Sequence, residues 1–157
     1  MYPGKGMSEA GRPADKRWDE KRRAKMQKLL GERTSLDSNR ALRRFVARYV
    51  DCEATARALV GYYLADRGVK HSEKRQLNVH DVWRAAGYFG VTADEEMVLS
   101  VFRGSDGIRG EKTPRQLRNA LIHRKTLADV EEIEEREEEL LARMGRWLEA
   151  VTERSGR

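Results

Sequence analysis

Apolar residues along the chain recur at the three- and four-residue spacing of amphipathic helices, and nothing in the pattern indicates a series of β-strands. The clearest row comprises Leu42, Phe45, Tyr49, Cys52, Ala56, Leu59 and Tyr63. It predicts one helix of about 25–30 residues that starts after the capping residues at positions 35–38 and ends near Gly68. A helix of this length should span a whole bundle or break near Asp51.

A second apolar row lies near the C-terminus and predicts another long helix. Its members are Val130, Ile133, Leu140, Met144, Trp147 and Val151, with Glu137 as an interruption. Three shorter helices are predicted between the two rows. Asn78 should cap the first, a Thr92–Glu95 capping box the second, and the Thr113-Pro114 start with Gln116 the third.

Two long amphipathic helices around shorter ones are typical of an antiparallel bundle, so we predict an all-α fold. The bundle should occupy residues 36–153, followed by a short tail at 154–157. Residues 1–35 form a basic arm that we expect to be disordered or helical, and its first 14 residues are rich in glycine, proline and small residues. The aromatic residues on the helical rows should be core residues, and we name Phe45, Tyr49, Tyr63, Trp83 and Trp147.

Composition narrows the class of protein. The chain has 157 residues, of which 39% are hydrophobic and 37% charged, and the clustering of the apolar residues argues against wholesale disorder. A single cysteine, Cys52, excludes an internal disulfide framework and a cysteine-based zinc site. With three histidines we expect no metal or other cofactor. No signal peptide or membrane-length apolar run is evident, so we expect a soluble, cytoplasmic protein with no membrane partner.

The formal net charge is +6, and it is unevenly distributed. Residues 1–44 carry 13 basic and 6 acidic side chains, whereas residues 129–157 carry 5 and 10. This layout favours a polyanionic partner such as RNA. The alternative is that the basic part neutralises the acidic C-terminal helix, within one molecule or between copies.

Candidate chemistry is concentrated in the segment RNALIH, residues 118–123. At about 100° per residue, Asn119 and His123 share one face of the predicted helix and Arg118 flanks it. Histidine suits proton transfer near neutral pH, and the arginine fork suits phosphate oxygens. This set is suited to RNA cleavage without a metal, because RNA supplies its own 2′-hydroxyl nucleophile. In-line displacement needs an acid and a base on opposite sides of the phosphorus, so the single histidine predicts a homodimer with the site at its interface.

The same segment resembles the Arg-x4-His motif of HEPN domains, in the form where a polar residue follows the arginine. The resemblance is sharp over residues 113–126 and general over 36–153, and it does not cover the first 35 residues. It implies a dimeric, metal-independent endoribonuclease fold, often found in toxin–antitoxin and anti-phage systems, with a possible antitoxin or other protein partner. It carries Arg118, Asn119 and His123 over as catalytic residues.

One departure concerns Lys125, which stands where a large group of HEPN toxins has a tyrosine that a partner nucleotidyltransferase modifies. Regulation by that route is therefore in doubt. The basic side chains predicted to hold the RNA backbone are Arg22, Arg23, Arg115, Arg124 and Lys125.

Two other functions remain open at this point. The bundle could be a non-catalytic interaction or adaptor module that binds a protein or RNA through its acidic helix and basic arm. The two short helices at 78–90 and 92–102 could also form a helix-turn-helix, although the second is acidic and suits a DNA groove poorly.

Overall fold

The computed structural model describes residues 13–70, 76–104, 111–123 and 126–155. These residues form seven α-helices and no strand, which confirms the predicted all-α fold. The helices are α1 (Pro13–Thr34), α2 (Arg40–Asp66), α3 (Val79–Tyr88), α4 (Glu95–Phe102), α5 (Pro114–His123), α6 (Leu127–Glu135) and α7 (Glu137–Ser155). The predicted tail up to residue 12 lies outside the described residues, and so does the glycine-containing segment 105–110.

The chain divides into two compact units, residues 1–39 and residues 40–157. The first unit contains α1, whose side chains from Asp19 to Leu29 are all exposed. Charged residues dominate this helix and its few apolar residues form no row, so it has no face to bury. The arm is therefore helical over Pro13–Thr34, and its side chains from Asp19 to Leu29 are solvated.

The second unit is built around α2, which contacts α3, α5, α6 and α7. Its buried row is Leu42, Phe45, Tyr49, Cys52, Ala56, Val60 and Leu64. The first five members match the predicted row, but Leu59 and Tyr63 are only partly buried. After Cys52 the row advances in steps of four residues, and each such step rotates it by about 40° around the helix. The buried face of α2 therefore includes Val60 and Leu64 in place of Leu59 and Tyr63, which strict alternation of three and four residues predicts.

Trp147 is the largest fully buried side chain and lies at the centre of this core. Phe102 packs edge-on against it with ring centroids 5.3 Å apart, and Tyr49 lies 6.5 Å from Phe102. The Trp147 indole N–H donates a 2.8 Å hydrogen bond to Thr55 Oγ1, which satisfies its polar atom in the interior. The core assignments of Phe45, Tyr49 and Trp147 are thus confirmed.

The core assignment of Trp83 is wrong, because 41% of this residue is exposed. Helix α3 buries Val82, Ala85 and Ala86, and Trp83 lies about 100° around the helix from Val82. Its indole therefore stands at the edge of the buried face.

Helix boundaries follow local capping signals. The Asn78 side chain caps α3 by accepting hydrogen bonds from the backbone of His80 and Asp81, as predicted. Helix α4 starts later than predicted, because Asp94 rather than Thr92 is its cap. The Asp94 carboxylate accepts from the backbone N–H of Met97 at 2.8 Å.

Helix α2 ends as predicted near Gly68, which has φ +74°. The backbone N–H of Val69 closes the helix by donating to the Leu64 carbonyl at 2.8 Å, in a Schellman-type arrangement. Glycine adopts this left-handed conformation without the penalty that a Cβ imposes.

The C-terminal row forms two helices rather than the single one predicted, and they meet at Arg136, with φ −103° and ψ 12°. Helical hydrogen bonds continue across the junction, from Arg136 N to Glu132 O and from Leu140 N to Arg136 O. The Arg136 guanidinium also donates to the backbone carbonyl of Lys112 at 2.8 Å. The helix is therefore interrupted at a single residue that makes a tertiary contact, and two helices follow α5 instead of one.

None of the described helices combines the length and the apolar character that a bilayer-spanning segment requires.

The fully buried Cys52 thiol gives the fold a test at alkaline pH. Burial raises the pKa of Cys52 to about 12 from an ordinary value of 9.0, and burial likewise raises the pKa of Tyr49. Between pH 9 and about pH 12 the Cys52 thiol has lost its proton in the unfolded chain and kept it in the folded chain. The free energy of unfolding therefore falls as pH rises through this range. We expect a declining thermal denaturation midpoint above about pH 9, measured by circular dichroism, with a shallower decline in Cys52→Ala. Equal slopes in the two proteins would contradict this account.

Candidate active site

The helix that carries the RNALIH segment, α5, starts at a reciprocal capping box, as predicted. The Thr113 N–H donates to Gln116 Oε1 at 2.8 Å, and the Gln116 N–H donates to Thr113 Oγ1 at 3.2 Å. The same two side chains reach the end of α4, where Thr113 Oγ1 donates to the Arg103 carbonyl and Gln116 Nε2 to the Gly104 carbonyl, each at 2.8 Å. The two side chains that cap α5 therefore also hydrogen-bond its start to the residues that follow α4.

An ion pair between a partly exposed lysine and a buried aspartate connects the residue preceding this cap to α6. Lys112 Nζ lies 2.8 Å from Asp129 Oδ1, and Asp129 is only 3% exposed. Thr126, the N-cap of α6, donates from its hydroxyl to the other Asp129 oxygen at 2.6 Å. Because a buried carboxylate is costly without partners, this pairing holds the segments on either side of α5 against each other.

Arg118 is oriented by three neighbours. Its Nη2 lies 2.6 Å from Glu53 Oε2 on α2, and its Nη1 donates to Asn119 Oδ1 at 3.2 Å. Its Cζ lies 5.3 Å from the centroid of the Tyr49 ring, in a cation–π contact. The Glu53 carboxylate also accepts a 3.0 Å hydrogen bond from Arg57 Nε. Two guanidinium groups thus share one carboxylate, and the three side chains together carry a charge of +1.

The aromatic platform beneath Arg118 is the phenol ring of Tyr49, which is neutral at pH 7. Burial, followed by the Glu53 carboxylate, raises the pKa of Tyr49 further, and the Arg115 and Arg118 guanidinium groups oppose this only in part. The neutral ring provides the negative face that a cation prefers.

His123 is the last residue of α5 and is exposed. It follows Asn119 by one helical turn, so the two share the outward face of the helix while Leu117 and Ala120 face the core. Ile122 lies on that outward side and is 61% exposed. His123 follows Arg118 by five residues and lies about 140° around the helix from it. The guanidinium can bind a phosphate group and the imidazole can transfer a proton, but α5 alone does not bring the two groups to one face.

The structure distributes the predicted RNA-binding residues unevenly. Arg115 is half-buried on α5 and donates to the Phe102 carbonyl at 3.1 Å, so part of its guanidinium is used in holding α4. Arg22 and Arg23 are exposed on α1, in the other unit of the chain. Arg124 and Lys125 lie outside the described residues.

Glu53 is the residue that sequence reasoning missed. It follows the buried Cys52 in the sequence and pairs with Arg57 in the ordinary i, i+4 manner of a helix surface. The spacing of Glu53 and Arg57 alone predicts an ion pair on the solvent-exposed surface of α2. The contact with Arg118 joins residues 65 positions apart, and no spacing rule indicates it.

Within the described ranges no group of three or more histidine, cysteine, aspartate or glutamate side chains is arranged to hold a metal ion. Comparison with known proteins adds no relative, since no family model, curated protein or solved structure matches the chain. The HEPN resemblance therefore stays a prediction.

The Glu53–Arg118 pair should contribute measurably to stability, because 16% and 28% of the two side chains are exposed. In a double-mutant cycle with Glu53→Gln and Arg118→Gln, we expect a coupling free energy of about 1 kcal/mol in urea unfolding. The more exposed Arg44–Glu137 pair, 3.3 Å apart, serves as the control and should give less than about 0.5 kcal/mol. Equal coupling in the two cycles would show that Glu53 does not fix Arg118 in solution.

Proposed function

We propose that the protein is a metal-independent endoribonuclease of HEPN type that acts as a homodimer. The observation that carries the proposal is the orientation of Arg118 by Glu53, Asn119 and Tyr49, with an exposed His123 one turn beyond Asn119 on the same helix. The family resemblance places such an enzyme among cytoplasmic toxins or anti-phage components, with an antitoxin as a possible partner.

The proposed reaction needs only groups that the chain and its substrate supply. A histidine accepts the proton of the 2′-hydroxyl, whose oxygen attacks the adjacent phosphorus. The bond from phosphorus to the 5′-oxygen breaks, and an acid protonates that oxygen, which leaves a 2′,3′-cyclic phosphate and a 5′-hydroxyl end. Arg118 stabilises the extra negative charge on the phosphorane.

The contacts of Arg118 are compatible with that task. A guanidinium has five N–H donors, and Glu53 and Asn119 accept from two of them. The remaining N–H groups can donate to phosphate oxygens while the Glu53 carboxylate keeps the guanidinium in one orientation. Such pre-orientation lowers the cost of assembling the transition state.

The dimer follows from the need for a second proton-transfer group. A copy related by a two-fold axis would present its own His123 to the opposite side of the phosphorus. The outward face of α5 carries Ile122, which follows Arg118 by one helical turn and is 61% exposed. Val50 on α2, one turn before Glu53, is 53% exposed. Large exposed apolar side chains on the two helices that carry Arg118 and Glu53 support the idea that these helices are covered in the functional assembly.

A second candidate function is supported by the Glu53–Arg118 contact itself. A carboxylate at 2.6 Å neutralises much of the charge that a phosphate would need. If the N–H groups of Arg118 that remain do not bind phosphate, the bundle would serve as a non-catalytic adaptor for a protein or RNA partner.

His123→Ala tests the catalytic proposal directly. We expect RNA cleavage in the presence of a chelator to fall by about 100-fold or more, because general acid–base groups contribute on that scale. The matched control is His80→Ala, which removes an exposed histidine from α3 and should cleave as the wild type does. Equal cleavage by His123→Ala and wild type would exclude the proposed mechanism, and the absence of cleavage in both would favour the adaptor.

Ile122→Glu tests the proposed dimer. A charge at this exposed position should not unfold α5, but it should separate two copies that bury the position against each other. We expect sedimentation to show a monomer and cleavage to fall with the dimer fraction. The control is Val69→Glu, which places the same charge after the end of α2 at a position that is 44% exposed. This variant should remain dimeric. A dimer that survives Ile122→Glu with full activity would contradict this interface.

A further inference from the structure

A shallow groove of about 390 Å³ lies between the end of α2 and helix α3, away from the RNALIH segment. Its lining consists of Tyr63, Arg67, Trp83, Arg84, Gly87 and Tyr88. Three aromatic side chains and two guanidinium groups therefore meet at one surface. Neither the core nor the proposed active site uses this combination.

The two tyrosine rings of the groove are held by neighbouring side chains, and Tyr88 and Trp83 are open to solvent. Tyr63 and Tyr88 form an edge-to-face pair with centroids 5.3 Å apart, and Arg67 Cζ lies 5.4 Å from the Tyr63 centroid. The Tyr88 hydroxyl donates a 3.0 Å hydrogen bond to Asp66 Oδ2. Even so, 53% of Tyr88 and 41% of Trp83 are exposed.

Gly87 keeps the space beside the indole open. It follows Trp83 by one helical turn, and a Cβ built on it would meet nothing within 4 Å. A larger residue at this position would fill the groove rather than clash with the backbone. The groove is therefore open at Gly87.

The charge of the groove indicates the kind of ligand. Arg67 and Arg84 are the charged residues of its lining, and the nearby Asp66 accepts the Tyr88 hydroxyl. An accessible indole flanked by guanidinium groups offers a stacking surface for a base and donors for its phosphate. Only an unpaired base can present its face to such a surface, because bases in a duplex are already stacked.

We propose that this groove binds single-stranded RNA, with a base stacked on Trp83 and the backbone phosphates held by Arg67 and Arg84. The proposal rests on the proposed function in naming RNA as the ligand, and it adds a binding site outside the cleavage site. It makes the enzyme selective for unpaired regions of its substrate.

Helix α2 relates the groove to the proposed active site. Arg67 follows Glu53 by fourteen residues, or about 21 Å of helix, and lies about 40° around the helix from it. At about 3.4 Å per stacked nucleotide, that distance corresponds to about six nucleotides. One short single strand can therefore contact both places on the same side of α2.

Fluorescence polarisation with a labelled 12-nucleotide single-stranded RNA tests the groove in the His123→Ala background, where bound RNA stays intact. We expect Trp83→Ala to weaken binding about 5- to 100-fold and Trp83→Phe to restore most of it. Arg84→Ala should lower the salt dependence of binding by about one counterion. The charge-matched control, Arg146→Ala, removes an exposed arginine from α7 and should change affinity less. A duplex of the same sequence should bind equally to wild type and Trp83→Ala.

The outcomes separate this proposal from the proposed function. Unchanged single-strand affinity in Trp83→Ala and Arg84→Ala overturns the groove, even if His123→Ala abolishes cleavage. A loss of affinity in both supports the groove, even if no cleavage is found. A change in oligomeric state of Trp83→Ala with unchanged RNA affinity would assign the groove to a second copy of the chain and overturn the proposal.

Discussion

Burial of one face of α2 is the constraint on which the rest of the second unit depends. Four other helices contact this helix, and its row of seven buried residues runs almost its full length. One member of that row links the interior to the surface chemistry. Tyr49 packs towards Phe102 and Trp147 in the core and also forms the platform for the Arg118 guanidinium. The candidate site is therefore built directly on the core.

The sequence predicted what local interactions determine. The caps at Asn78 and Thr113 and the end of α2 near Gly68 depend on residues within a few positions of one another. The first part of the α2 row was predictable for the same reason, since helical periodicity alone brings its members to one face. These features fix the number of helices between the two long rows and the position of the RNALIH segment on a helix.

What the sequence did not predict depends on contacts between distant residues. No glycine or proline stands at Arg136, and the interruption of the C-terminal row there accompanies a contact with the Lys112 carbonyl 24 residues earlier. Trp83 has the spacing of a core residue but lies where the buried face of α3 has already turned away. In the candidate site, Arg118, Asn119 and His123 could be chosen from residue type and spacing, whereas Glu53 could be found only from the fold.

The Glu53–Arg118 contact has a consequence for how such a site can be inherited or engineered. The hexapeptide RNALIH carries the arginine and the histidine, but the carboxylate and the aromatic ring that align the arginine belong to a helix more than 60 residues earlier. Transplanting the hexapeptide onto another helical scaffold would transfer the side chains without their alignment. The smallest transferable module is instead the contacting pair of α2 and α5, and recombination within this chain would have to keep both helices together to preserve the site.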